Sequence, residues 1–261
     1  MTKPALSVAV RGKGRHYRDP DTGELLPSVT NILGILDKPA LTWWYVKGAL
    51  SAAWESREAL RHMPDADTAY NAFKSAAHKK RDKAADLGTD IHNVCEALAG
   101  DRKLPSYSAT AKPYVDQFLR FVSEHDVEFL AVERTVIHPD VGYGGTYDAL
   151  VRMHGELCLL DFKTGSGVYP EAALQLSALA NAPYYIDERG RYEHEQIEAA
   201  GVVHLQPDDY SVIPVHNMPA NFQAFTGLRA AWEFVKGGGA EAALGPPVQP
   251  AKIVAESAAG P

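Results

Sequence analysis

A two-residue turn constrains this chain more than any other feature. The runs TYDALVRM (146–153) and ELCLLDFKT (156–164) are short, apolar and β-rich, and only His154-Gly155 separates them. Glycine there supplies the positive φ that a two-residue hairpin turn demands. A turn centred on this pair sets position 148 opposite position 161, so Asp148 and Asp161 become a cross-strand pair about 5 Å apart on one face. Like charges so placed repel unless a cation lies between them, which makes the pair a candidate metal site. Alternation along the second strand puts Lys163 on the face of Asp161 and turns Leu160 and Phe162 the other way, into a core.

The same arithmetic reaches one strand further back. A connection centred on Asp140-Val141 in HPDVGYGG brings Glu133 alongside Asp148, a further candidate ligand. A helical stretch from about Thr68 to Leu98 contains GTDIHNVCEAL, in which Gly88, His92 and Glu96 fall at four-residue intervals and share one face. Alone, a histidine among Ile91, Val94 and Leu98 reads as a satisfied structural residue; beside paired carboxylates it reads as a ligand. Gln175 lies one turn into a helix that begins near Pro170, so it can look back toward the strand ends.

The net charge of −7 argues against indiscriminate nucleic-acid binding, yet two segments run against it. Residues 1–18 carry Lys3, Arg11, Lys13, Arg15 and Arg18 with no acid, and KSAAHKKRDK (74–83) has five basic residues against Asp82. Within the second, Lys79, Lys80 and Arg81 are candidate DNA contacts, with a solvated helix face as the plainer alternative. The apolar runs are short and broken by charge and the N-terminus has no apolar leader, so a soluble, cytoplasmic protein is expected, without a membrane partner. Two cysteines, Cys95 and Cys158, are too few for an iron–sulfur cluster or an all-cysteine zinc site and read as buried thiols.

The remaining chain reads as support for the central strands. The opening predicts two short strands about the turn DPDTG, then a helix capped by Ser28 or Thr30. LTWWYVKGALSAAWESREAL has helical apolar spacing and is expected to bury Trp43, Trp44 and Trp54 in the core. KPYVDQFLRFVSEHD (112–126) is an amphipathic helix; YPEAALQLSALANAPYY reads as a helix from Pro170; GVVHLQ and YSVIPVH extend the sheet; and NFQAFTGLRAAWEFV (221–235) is a last helix. Residues 1–236 are read as a single domain and 237–261, rich in Ala, Pro and Gly, as a disordered tail.

Two carboxylates, a lysine beside the second and a helical histidine suit metal-assisted hydrolysis of a phosphodiester. Mg²⁺ takes oxygen ligands, needs few from the protein, and keeps positions for water and a phosphate oxygen. Asp148 and Asp161 are the expected ligands, and Lys163 is placed to orient a nucleophile or offset transition-state charge. The structural alternative is a solvated cross-strand ion pair, contributing about 0–1 kcal/mol.

Together, Glu133, GGTYD ending at Asp148, LLDFKTG spanning Asp161 and Lys163, GTDIHNVCE containing His92 and Glu96, and the QL at Gln175 resemble the PD-(D/E)XK nuclease superfamily, in its RecB-like, phage-type exonuclease branch. The segment PSVTNILGILDKPALTWW is also similar to the start of phage-type members, and the resemblance spans roughly residues 16–205. It implies an α/β fold with a restriction-endonuclease-like core, a central mixed β-sheet flanked by α-helices. It further implies a DNA exonuclease using Mg²⁺ or Mn²⁺ on DNA with a free end, in recombination, repair or phage replication, with a recombination or replication protein as a possible partner. By the resemblance, His92, Asp148 and Asp161 bind metal, Lys163 is catalytic, and Gln175 lies near the substrate. One departure is Leu179, where the family pattern QxxxY has a tyrosine that Tyr184 or Tyr185 could replace. The other is the cluster of four cysteines carried by some relatives, which two cysteines cannot build. The competing readings are a catalytically silent nuclease fold serving as a DNA-binding or assembly subunit, and an endonuclease.

Overall fold

The structure is a computed structural model that describes residues 4–100, 102–187, 190–193 and 196–247, with the backbone alone over 75–86. The chain opens with a small antiparallel sheet of β1 (Ser7–Val10), β2 (Gly14–Arg18) and β3 (Leu25–Pro27), in that order. The DPDTG turn joins β2 to β3, and the Asp19 carboxylate accepts the N–H groups of Asp21 and Thr22 within it. There are three strands where two are expected. Gly12 and Gly14, with φ of 75° and 76°, reverse the chain once more inside VAVRGKGRHYR.

Ser28 caps α1 (Val29–Leu33), its hydroxyl accepting the Asn31 N–H at 3.1 Å. Four helices follow: α2 (Pro39–Glu55), α3 (Arg57–Leu60), α4 (Ala66–Ala99) and α5 (Lys112–Glu124). The long hairpin is β4 (Glu128–His138) and β5 (Tyr143–Met153), extended by β6 (Glu156–Lys163), and α6 (Glu171–Ala180) leaves the end of β6. The chain then forms β7 (Tyr184–Asp187), β8 (Gly190–Glu193), β9 (Ala199–Leu205), β10 (Tyr210–Pro214), α7 (Met218–Lys236) and the single turn α8 (Gly239–Ala242).

The α/β architecture expected from the sequence is the one the chain adopts, a central mixed sheet flanked by helices. Its seven strands run in the order β10-β9-β6-β5-β4-β7-β8. β6 and β9 are parallel, linked through α6, and the other neighbouring pairs are antiparallel. Leu159, Leu176, Leu179 and Phe225 pack between the sheet and α6–α7; Leu160, Phe162, Ile91, Phe118 and Phe121 pack on the opposite face, against α4 and α5. Covered on both faces, β6 has a continuous apolar run instead of an alternating one.

Three expectations need correction. Trp43 is 69% and Trp54 72% exposed, and Trp44 is only half-buried, so α2 does not place its indoles in the core. The inner face of α2 is Trp44, Tyr45, Gly48, Ala49, Ala52 and Ala53, all half-buried, and the small residues among them let it lie close to α4 while Trp43, Leu50 and Trp54 stay outside. Tyr184-Tyr185, read as the end of a helix, begins β7. Residues 239–242, read as part of a structureless tail, form the helical turn α8; residues 248–261 lie outside the described residues.

Candidate active site

The site is assembled by two hairpin connections whose geometry is local. His154 and Gly155 both have positive φ, 55° and 87°, the signature of a two-residue turn that matches strand twist. Met153 pairs with Glu156 and Ala149 with Leu160, so one further step sets Asp148 opposite Asp161. On the other side, Val132 pairs with Ala149 and Arg134 with Tyr147, which sets Glu133 opposite Asp148. By register the three acids fall in line across three strands, although the β5–β6 ladder itself ends at Ala149–Leu160.

The side chains do not alternate regularly at this line. Tyr147 packs with the α6–α7 core while Ala149, two residues on, packs with the α4–α5 core; Val136 and Val132 switch sides in the same way on β4. The switch coincides with a left-handed φ of 49° at Glu133, a conformation that costs a non-glycine residue about 1–2 kcal/mol. Such breaks in a ladder re-aim side chains beside functional sites. Here the break brings Glu133 and Asp148 to α4, where His92 Nδ1 lies 3.5 Å from Asp148 Oδ2. Ligand atoms of His92, Glu133 and Asp148 all lie within 4.8 Å of one another.

Asp161 holds a different position. It is almost wholly buried, and Lys163 Nζ sits 2.8 Å from both of its carboxylate oxygens. Gln175 Nε2, one turn into α6, donates to Asp161 Oδ1 at 3.1 Å, while Oδ2 is buried with the Lys163 ammonium as its partner. All six residues line one open cleft of about 640 Å³. Arg15, Thr30 and Thr146 line it too and were not singled out from the sequence as site residues. Thr146 could have been, since it lies two residues before Asp148 on β5.

The crowding of acids shows in their titration. Burial, then the Asp148 and Glu96 charges, push the Glu133 carboxyl up to about 8. Burial and Asp148 raise Asp161 to about 6, against the opposing pull of Lys163. Burial draws the Lys163 ammonium down, but the Asp161 and Asp148 charges outweigh it and leave its pKa raised, so the lysine stays charged. Two carboxylates held against their own repulsion, Glu133 and Asp148, and the neighbouring His92 imidazole form a donor set that could hold a divalent metal ion.

Other expected residues fall elsewhere. Lys79, Lys80 and Arg81 lie on α4, but their side chains are outside the described residues. Neither Tyr184 nor Tyr185 lines the cleft: Tyr184 is buried beneath the Arg191 guanidinium, 3.6 Å away, and Tyr185 stacks on Tyr192. Leu179 is a core residue, and neither Tyr184 nor Tyr185 takes the position that the QxxxY pattern would fill. Glu96 is buried and paired with Arg102 at 2.7 Å. Cys95 and Cys158 are free, buried thiols. Among the described residues, no helix is long and apolar enough to cross a membrane.

No family model matches the sequence, and no curated protein matches it. Among solved structures, the chain is similar to an alkaline exonuclease (LHK-Exo) from Laribacter hongkongensis, at 16% identity over 61% of this chain and 91% of that one, with a TM-score of 0.28.

Proposed function

We propose that this chain is a divalent-metal-dependent deoxyribonuclease that removes nucleotides from DNA ends, with residues 1–236 as its one catalytic domain. The observation that carries the reading is the meeting of His92, Glu133, Asp148, Asp161 and charged Lys163 in one open cleft. A structural ion pair needs one carboxylate for one lysine; here three carboxylates share the cleft, two of them, Glu133 and Asp161, raised by burial and by the Asp148 charge, and Lys163 is one cation among them.

In this reading His92, Glu133 and Asp148 hold the cation, Mg²⁺ or Mn²⁺, and Asp161, paired with Lys163, stands beside them in the cleft. When bound, the cation supplies a water of lowered pKa and offsets charge on the scissile phosphate. Lys163 presents its ammonium to a non-bridging phosphate oxygen and orients the attacking water, with Asp161 setting its direction. Gln175 holds Asp161 in turn, and the Phe162 N–H holds Asp148. DNA is the substrate, and recombination, repair or phage replication is the setting the motif resemblance suggests.

A time course on end-labelled linear and covalently closed circular DNA, with Mg²⁺, Mn²⁺ or EDTA, tests this. Linear DNA is expected to lose label only with a divalent ion, and the closed circle to survive. Cutting of the circle would make the chain an endonuclease, and no cutting of either would leave a silent DNA-binding fold.

A further inference from the structure

The outer face of α2 has no partner among the described elements. Trp43, Leu50 and Trp54, at i, i+7 and i+11, lie along one side of the helix and are 69%, 65% and 72% exposed. The two indoles stand about 16 Å apart along the axis, at 1.5 Å per residue. Tyr70, near the start of α4, is 60% exposed. Large apolar side chains in such number are not left in water without consequence.

Two of these rings have a cation over them, and the third has one a helical turn away. Lys47 is one turn on from Trp43 on the same side of α2; the Arg57 guanidinium lies 5.5 Å from the Trp54 ring, and Lys74 Nζ 5.4 Å from the Tyr70 ring. Among the described residues none of these three cations is in a salt bridge with an acid. The sequence from 38 to 83 has nine basic and five acidic residues, a charge of +4 within a chain of −7, so the rest of the chain carries −11. Together with residues 1–18, this arm is therefore one of two basic parts of an acidic protein that attract a polyanion.

Both ends of the arm are tied to the cleft. Lys38, just before α2, pairs with Glu171 at 3.3 Å, one turn ahead of Gln175, and α4 ends by carrying His92 to Asp148. We propose that the α2–α4 arm binds an unpaired strand of DNA, its bases stacking on Trp43, Trp54 and Tyr70 and its phosphates meeting Lys47, Arg57 and Lys74. Bases within a duplex have no free face to offer an indole, whereas those of a single strand do. The proposal rests on DNA as the ligand of this protein, but not on cleavage.

The test uses the full chain and a thymidine oligonucleotide in EDTA, so that binding is read without turnover. The oligonucleotide is expected to quench tryptophan fluorescence. The paired change Trp43→Ala with Trp54→Ala is expected to weaken binding at least about tenfold, since one stacked base contributes that much. Trp43→Phe with Trp54→Phe, which keeps a ring at both positions, is expected to restore most of it. Lys47→Ala, Arg57→Ala and Lys74→Ala together are expected to flatten the salt dependence of binding. Hydrolysis of bis(p-nitrophenyl) phosphate, too small to reach the arm, is expected to be unchanged in the alanine pair. An unchanged oligonucleotide affinity in the alanine pair overturns the proposal. A wild-type dimer that the alanine pair dissociates, with DNA affinity unaltered, overturns it in favour of a second copy of the chain on this face. Trp-dependent binding in a protein that cleaves nothing with Mn²⁺ supports the arm while sinking the nuclease reading.

Discussion

Asp148 accepts a hydrogen bond at 2.8 Å from the backbone N–H of Phe162, the residue that separates Asp161 from Lys163. The first carboxylate is thereby fixed to the strand that carries the other two groups, and the spacing of all three follows from backbone geometry rather than from flexible side chains. A site held in this way is pre-organised, which is what a charge-stabilising site requires.

Lys163→Ala and Asp161→Ala separate the roles on that strand. Loss of Lys163 removes charge that matters most in the transition state, so kcat is expected to fall about 10²–10³-fold while Mn²⁺ affinity, measured by calorimetry, changes little. Loss of Asp161 is expected to reduce both, and to leave metal-free DNA binding equal or stronger because one carboxylate no longer repels the phosphate. Wild-type cleavage by either variant under saturating Mg²⁺ would show that the site is elsewhere.

Chelation is expected to abolish cleavage, because His92, Glu133 and Asp148 bring three ligand atoms within 4.8 Å of one another, the spacing of a metal site. Mn²⁺ is expected to support at least the rate seen with Mg²⁺, since an imidazole nitrogen suits Mn²⁺ better. In His92→Ala that advantage should shrink, read as the ratio of the two initial rates.

Glu133 sets a pH dependence for the metal-free protein. Its carboxyl is raised from 4.5 to about 8, by burial first and then by Asp148 and Glu96. The folded state therefore favours the protonated acid. That contribution is complete below pH 4.5 and disappears as pH climbs through 8. Thermal melts in EDTA are expected to show Tm falling across this range. Glu133→Gln should lessen the fall and melt higher at the alkaline end, with each 1 kcal/mol worth about 2–4 °C. An identical pH profile in the variant would mean that Glu133 is not the buried acid.

Gly144→Ala probes how the small sheet is seated on β5. A Cβ at Gly144 would come within 2.6 Å of the Tyr17 Cβ, and Tyr17 also hydrogen bonds to Thr146 at 2.9 Å beside the cleft. Overpacking of this kind costs about 1–3 kcal/mol. The variant is expected to melt lower and to lose activity beyond its loss of stability, because Arg15 and Thr30 line the cleft from the same hairpin and helix. Wild-type Tm and activity would show that the hairpin can shift freely.

The sequence by itself determined the line of acids. A two-residue turn and a period of two are local rules, so His154-Gly155 dictates that Asp148 faces Asp161, and the PDVG loop carries Glu133 into the same row. Four-residue spacing likewise put Gly88, His92 and Glu96 on one face of α4. Only the tertiary structure decided which of these meet: Glu96 is taken by Arg102, while a left-handed residue at Glu133 breaks the alternation and turns two acids toward His92. It also left the indoles of Trp43 and Trp54 outside, since helical spacing reports that a face is apolar but not what lies opposite it. Alternation and turns act within a few residues of chain, whereas the choice of α4 as the neighbour of both α2 and the acids depends on packing between segments far apart in sequence.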